Sequence, residues 1–140
     1  MTKFHYKAEE VPISTTGKRT RVIWRSIVPV ILMKGKKLVG LEALIDSGAD
    51  YNIFHGGVAE VLGIKLTTGK KRKILGISGE PIRGYIHDVE IKPVGMASFK
   101  APIVFSNQLS SHSLAVLGNT GFFDKFKITF NYKNKVIEIL

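Results

Sequence analysis

Four aspartates occur in this 140-residue chain, at positions 46, 50, 88 and 124, and Asp46 stands where a carboxylate can do chemistry. It follows the apolar pair Leu44-Ile45 and opens the tetrapeptide Asp46-Ser47-Gly48-Ala49. An apolar strand that runs straight into a glycine-containing turn delivers a carboxylate to a strand end, where the backbone can fold close around it. A carboxylate so placed can act as a general base toward water, or it can cap backbone amides in an Asx turn without doing chemistry. A second apolar pair, Val116-Leu117, ends in Gly118, which lies 72 positions after Asp46. Between the two lies a hairpin candidate, Ile74 to Tyr85, with Gly76-Ile77-Ser78-Gly79 at its tip. Taken singly, the hairpin tip reads as an ordinary turn, and Val116-Leu117-Gly118 as a core strand and its stop.

Other chemistries find less support. His5, His55, His87 and His112 are separated by 50, 32 and 25 positions, which is not metal-ligand spacing, so each reads as a surface or packing residue. Ser110, Ser111 and Ser113 near His112 lack the setting of a nucleophile turn and read as a polar loop. The chain has no cysteine, which removes disulfides and thiolate metal sites. A net charge of +10 could attract polyanions, but its 21 Lys and Arg residues are widely spread. Only Lys34-Gly35-Lys36-Lys37 and Lys70-Lys71-Arg72-Lys73 form runs, both set between apolar segments where solvated loop tips are expected. Trp24 and the Tyr and Phe residues show no recognised base-stacking pattern, and core packing is the stronger reading for them.

The elements that must position Asp46 are short, often β-branched and punctuated by turn residues, which points to an all-β or β-rich domain. The length suits one domain spanning residues 1–140. No apolar run approaches bilayer length, and Met1 to Glu10 lacks the apolar block of a signal sequence, so a cytoplasmic protein without membrane association is the expectation. Met1 to Tyr6 reads as a short strand or a loose arm, and Ser14 to Lys18 as a turn. Arg19 to Met33 reads as a strand that reverses at Lys34 to Lys37 into Leu38 to Ile45, with an edge or bulge at Pro29 because proline cannot donate to a ladder. Val58, Ala59, Val61 and Leu62 fit a helix of about two turns stopped by Gly63. Extended structure is expected at Ile64 to Leu66, with strands over Lys70 to Leu75, Ile82 to Ile91 and Met96 to Phe105. Ser106 to Ser113 reads as a polar loop, Gly121 to Phe126 as the start of a helical turn, and Lys127 to Tyr132 with Val136 to Leu140 as a final hairpin.

With these parts in order, the chain resembles the retropepsin family of single-domain aspartic proteases from about Ile27 to Leu140. The apolar strand with Asp46-Ser47-Gly48-Ala49 matches the family's catalytic D-[ST]-G-A. Val116-Leu117-Gly118 matches its later apolar-apolar-glycine element, and Gly76 to Gly79 falls where its flap tip lies. The resemblance implies a closed β-barrel with one short helix, acting as a homodimer on polypeptide substrates without a metal or organic cofactor. A metal-free hydrolysis of this kind needs one carboxyl to deprotonate water and another to protonate the carbonyl oxygen. Because the chain has a single Asp-Ser-Gly, the second must come from another copy.

The same resemblance implies the remaining roles. Ser47 braces the two loops across the interface, Gly48 offers its amide to the carboxylate, Ala49 leaves room for substrate, and Asp50 holds the substrate backbone. The segment Ile74 to Tyr85 closes over bound peptide, with Gly76, Ile77, Ser78 and Gly79 at its tip contacting substrate, and Val116, Leu117 and Gly118 complete the substrate site. The chain ends, Met1 to Tyr6 and Val136 to Leu140, pair between subunits. One departure stands out: many viral members have arginine after the later glycine, able to pair with the acid matching Asp50, where this chain has Asn119. Residues 1–26 have no secure counterpart in the family. The competing readings are a catalytically silent peptide-binding module of the same fold and, more remotely, a basic nucleic-acid-binding β domain.

Overall fold

The computed structural model describes residues 1–75, 79–110 and 112–140. Gly76, Ile77 and Ser78 of the expected flap tip, and Ser111 of the polar loop, lie outside the described residues.

The expected hairpin after Lys34 is present. Strand β4 (Ile27–Lys34) and strand β5 (Lys37–Ile45) pair antiparallel from Ile27↔Leu44 to Lys34↔Lys37, leaving a two-residue loop. Such a loop needs a positive φ, and Gly35 supplies it at 59°. Alternation along β4 sends Val28, Val30 and Leu32 into the core. The expected strand from Arg19 to Met33 is two strands, because Ser26 separates β3 (Thr20–Arg25) from β4. β3 pairs with β2 (Lys7–Pro12) in a two-stranded hairpin of its own. Pro29 pairs with Glu42 of β5, and on its other side it marks the end of a ladder. There Pro29 O accepts from Val94 N–H, and strand pairing begins only at Val30.

β6 (Asn52–His55), β8 (Pro81–Pro93), β9 (Phe99–Ser106) and β10 (Ala115–Leu117) complete a closed barrel with β4 and β5. Its order is β4-β5-β10-β6-β9-β8, and β8 closes on β4 through Val30↔Pro93 to Met33↔Glu90. β7 (Lys70–Leu75) is attached to the outside of β8, so Lys70 to Lys73 belong to an edge strand rather than a loop tip. Charge at such an edge opposes strand addition. The helix is a short one, α1 (Gly56–Val61), opened by the His55 side chain accepting from Gly57 N–H, and Gly63 follows at φ 72°. A 3₁₀ turn at Leu66–Thr68 replaces part of the extended segment expected there.

The final hairpin is β11 (Ile128–Asn131) and β12 (Val136–Ile139), turning through residues 132–135. β1 (Thr2–His5) pairs with β12 of its own chain, Thr2↔Ile139 to His5↔Val136, where the resemblance implied pairing between subunits. Only Tyr6 separates β1 from β2, and its N–H bonds Lys135 O, so the N-terminal hairpin leads β1 back onto its own C-terminal strand. Gly121 to Lys125 form turns instead of a helical turn, closed by Phe123 N–H to Gly118 O and Asp124 N–H to Asn119 O. Among the described residues no helix is long and apolar enough to cross a membrane.

The core joins the barrel to the terminal sheet. Phe54, Phe105, Phe122, Ile137 and Ile139 are buried in one cluster with the inward residues of β4, β8 and β9. Phe122 sits among Phe99, Phe123 and Phe126, with ring centroids 6.2, 6.2 and 5.4 Å away. Phe122→Ala is expected to destabilise the chain by about 3–5 kcal/mol, read from the shift of a denaturant midpoint at unchanged slope.

Candidate active site

The chain arrives at Asp46 already fixed. Ile45 N–H donates to Ser26 O at 2.8 Å and the Ser26 hydroxyl donates to Ile45 O at 2.9 Å, clamping the last residue of β5 from one side. From the other side Asp46 N–H donates to Leu117 O at 3.0 Å, extending the parallel pairing of β5 with β10 by one bond. The turn then closes: Gly48 N–H donates to Asp46 Oδ1 at 2.8 Å and Ala49 N–H to Asp46 O at 3.1 Å. Among the described residues no donor reaches Oδ2, and Asp46 as a residue is half-buried.

The segment after β10 is sewn onto this turn. Asn119 N–H donates to Ala49 O and Thr120 N–H to Asp50 O, both at 2.8 Å, while Asn119 Nδ2 reaches Ser47 O at 3.2 Å. Gly118 makes the approach possible, since a Cβ there would overlap Tyr51 O and come within 2.6 Å of Ala49 O. Its own N–H donates to Asn52 Oδ1 at 2.9 Å, and Asn52 Nδ2 donates to Pro102 O at 3.2 Å. Asn52 is fully buried with both ends of its amide satisfied. Sequence reasoning passed over this residue, whose only signal was a polar amide inside the apolar run Tyr51-Asn52-Ile53-Phe54.

Asp46, Gly48, Ala49, Asp50 and Val116 come together along a cleft of about 350 Å³. Ile53, Ile74, Leu75 and Ile82 complete its lining; the last three lie in the segment expected to cover the peptide, though none of the four was named as a site residue. Their signal was alternation: Val116 pairs with Ile53 and Ile74 with Ile82, so each pair shares one face of its strands. Ser47 is exposed beside the cleft. Leu117 is fully buried in the core and Gly118 is buried against backbone, so of that trio only Val116 lines the cleft. Gly79 adopts φ 79°, as a turn glycine does. Among the described residues Asp50 forms no ion pair, and the Asn119 amide serves Ser47 instead. Two histidines have structural duties: His55 caps α1, and His87 Nε2 lies 2.8 Å from Leu66 O.

No family model and no curated protein matches the chain. Solved structures do. A retropepsin-like aspartic protease from Rickettsia conorii is 17% identical with a TM-score of 0.57, over 96% of this chain and 98% of that one. The EIAV protease complexed with the inhibitor HBY-793 is 21% identical with a TM-score of 0.50, over 68% of this chain and 82% of that one. The fold is retropepsin-like. The expected closed β-barrel with one short helix is therefore present.

In this retropepsin-like fold the Asp46 turn is held by a partner strand and by one buried amide. Asn52→Ala leaves Gly118 N–H and Pro102 O without their partners in a dry site. It is expected to cost about 2–4 kcal/mol, measured by chemical denaturation.

Proposed function

We propose that the chain is an aspartic endopeptidase that works as a two-fold dimer, with Asp46 of each copy forming one catalytic pair. The observation that carries this reading is Asp46, fixed at a strand end and lining an apolar cleft, within a retropepsin-like barrel that contains one Asp-Ser-Gly. Two carboxyls close together resist simultaneous ionisation and retain one proton between them; aspartic proteases are a standard illustration of this effect. The ionised member takes a proton from water as its oxygen attacks the peptide carbonyl carbon, and the protonated member gives its proton to the carbonyl oxygen. Collapse of the tetrahedral intermediate breaks the C–N bond, and the nitrogen leaves as an amine after accepting a proton from the pair.

The cleft fits an extended polypeptide with apolar side chains beside the scissile bond, which Ile53, Ile74, Ile82 and Val116 would contact. Asp50, exposed at the same cleft, is placed to take substrate backbone N–H groups, and Ser47 to brace the loop against its symmetry mate. The β7–β8 hairpin covers the bound peptide and excludes water during the reaction.

The test compares wild type with Asp46→Asn on a diverse peptide library from acidic to neutral pH, while sedimentation reports the oligomeric state. Wild type is expected to cleave as a dimer between apolar residues, and the variant to lose activity by at least a factor on the order of 10²–10⁴. Excess Asp46→Asn chain mixed with wild type should suppress cleavage by forming mixed dimers. A cleaving monomer, or cleavage that survives the substitution, overturns the proposal.

A further inference from the structure

The β7–β8 hairpin reaches the cleft through Ile74, Leu75 and Ile82, and its attachment to the barrel stops just before them. β8 pairs with β9 only as far as Tyr85↔Phe105, whereas its pairing with β7 continues to Leu75↔Pro81. From Gly84 outward, therefore, β8 has no strand partner in the barrel.

Two residues beyond the last strand pair, two side chains take over. The backbone of Arg83 is gripped at both polar groups: its N–H donates to Gln108 Oε1 at 2.6 Å, and its C=O accepts from the Ser106 hydroxyl at 2.5 Å. Ser106 is the last residue of β9 and fully buried. Its oxygen also accepts from the backbone N–H of Gln108 at 3.2 Å, so the Ser106 hydroxyl fixes the chain from which the Gln108 side chain reaches Arg83. This uses the donor and acceptor capacity of a hydroxyl together. Between Arg83 and the ladder lies Gly84, where a Cβ would come within 2.6 Å of Phe105 O and 2.7 Å of the Val104 side chain. Backbone pressed this close to its neighbour marks the last point at which β8 is held by the barrel strands.

We infer that Ser106 and Gln108 form a hinge latch for the hairpin that covers the cleft. Gln108 is a positioning residue that sets how closely Ile74 and Ile82 approach a bound peptide. The polar loop that follows β9 thereby acquires a role in substrate binding without touching substrate. The inference deepens the endopeptidase reading and rests on it for its kinetic arm, while its structural arm stands apart.

Gln108 is exposed, so its substitution leaves the core intact and isolates the latch. Gln108→Met keeps the side-chain length without the acceptor, and Gln108→Glu restores an acceptor oxygen. Amide hydrogen exchange is followed at Lys71 to Leu75 and at Ile82, none of which bonds Gln108. Exchange there is expected to quicken about threefold in Gln108→Met, corresponding to the loss of one partly exposed hydrogen bond, and to return to the wild-type rate in Gln108→Glu. KM for an apolar peptide should rise by a similar factor of about three in the Met variant, with kcat less affected, and recover in the Glu variant. Unchanged hairpin exchange in Gln108→Met overturns the latch, as does an equal acceleration in β4 and β5, which marks general destabilisation. A chain that cleaves no peptide yet shows the selective, rescued exchange refutes the endopeptidase reading and leaves the latch standing.

Discussion

Everything at the cleft depends on one seam, the junction where the end of β5 meets β10 and the segment that follows it. Parallel pairing of Ala43, Leu44 and Ile45 with Ala115, Val116 and Leu117 brings two strand ends to the same level. The chain must then turn away twice within a few ångströms. Backbone bonds from Asp46, Asn119 and Thr120 knit the two turns together, and the missing side chain of Gly118 gives them room. Buried backbone groups at such a crossing need partners, since an unpaired one costs about as much as a typical single substitution in a core. Asn52 supplies the partners that no strand can, bridging Gly118 N–H and Pro102 O from a fully buried position.

The barrel exists to hold that seam still. Closure of β8 onto β4 completes the six-stranded barrel, and Ser26, just before β4, clamps Ile45. Rigidity at Asp46 contrasts with the β7–β8 hairpin, which hangs from the barrel by one side of β8. In the proposed reading, where the site admits an extended chain and then encloses it, this division of labour is required. Catalytic geometry tolerates little displacement, whereas a cover has to move.

Much of the arrangement was legible in the sequence because it rests on local signals. A carboxylate at the end of an apolar strand, a glycine after the second apolar pair, and alternating strands separated by turn residues all stand out without structural help. What stayed hidden depends on neighbours far apart in the chain. Asn52 is informative only once Gly118 and Pro102 are known to surround it. The resemblance put Leu117 in the substrate site together with Val116, but adjacent residues on a strand face opposite ways, and the core takes Leu117. The break between β3 and β4 was masked by continuous β-branched sequence. Ser26 separates them through bonds to Ile45, which no local pattern displays.

The terminal sheet bears directly on how two copies can meet. β12 is paired on both sides, with β1 and with β11, so its edges are already satisfied within one chain. An interlocked sheet of chain ends would require β1 to leave its own β12 for that of a second copy, re-forming the same four residue pairs. Such an exchange gains no strand pairing, so it can be favoured only by contacts made elsewhere in the dimer. The tether argues against it: with Tyr6 alone between β1 and β2, and Lys7 bonded to Glu42 at 2.6–2.7 Å, the first strand has little chain with which to reach across. In the dimer proposed above, an exchange of chain ends would therefore need contacts elsewhere to drive it.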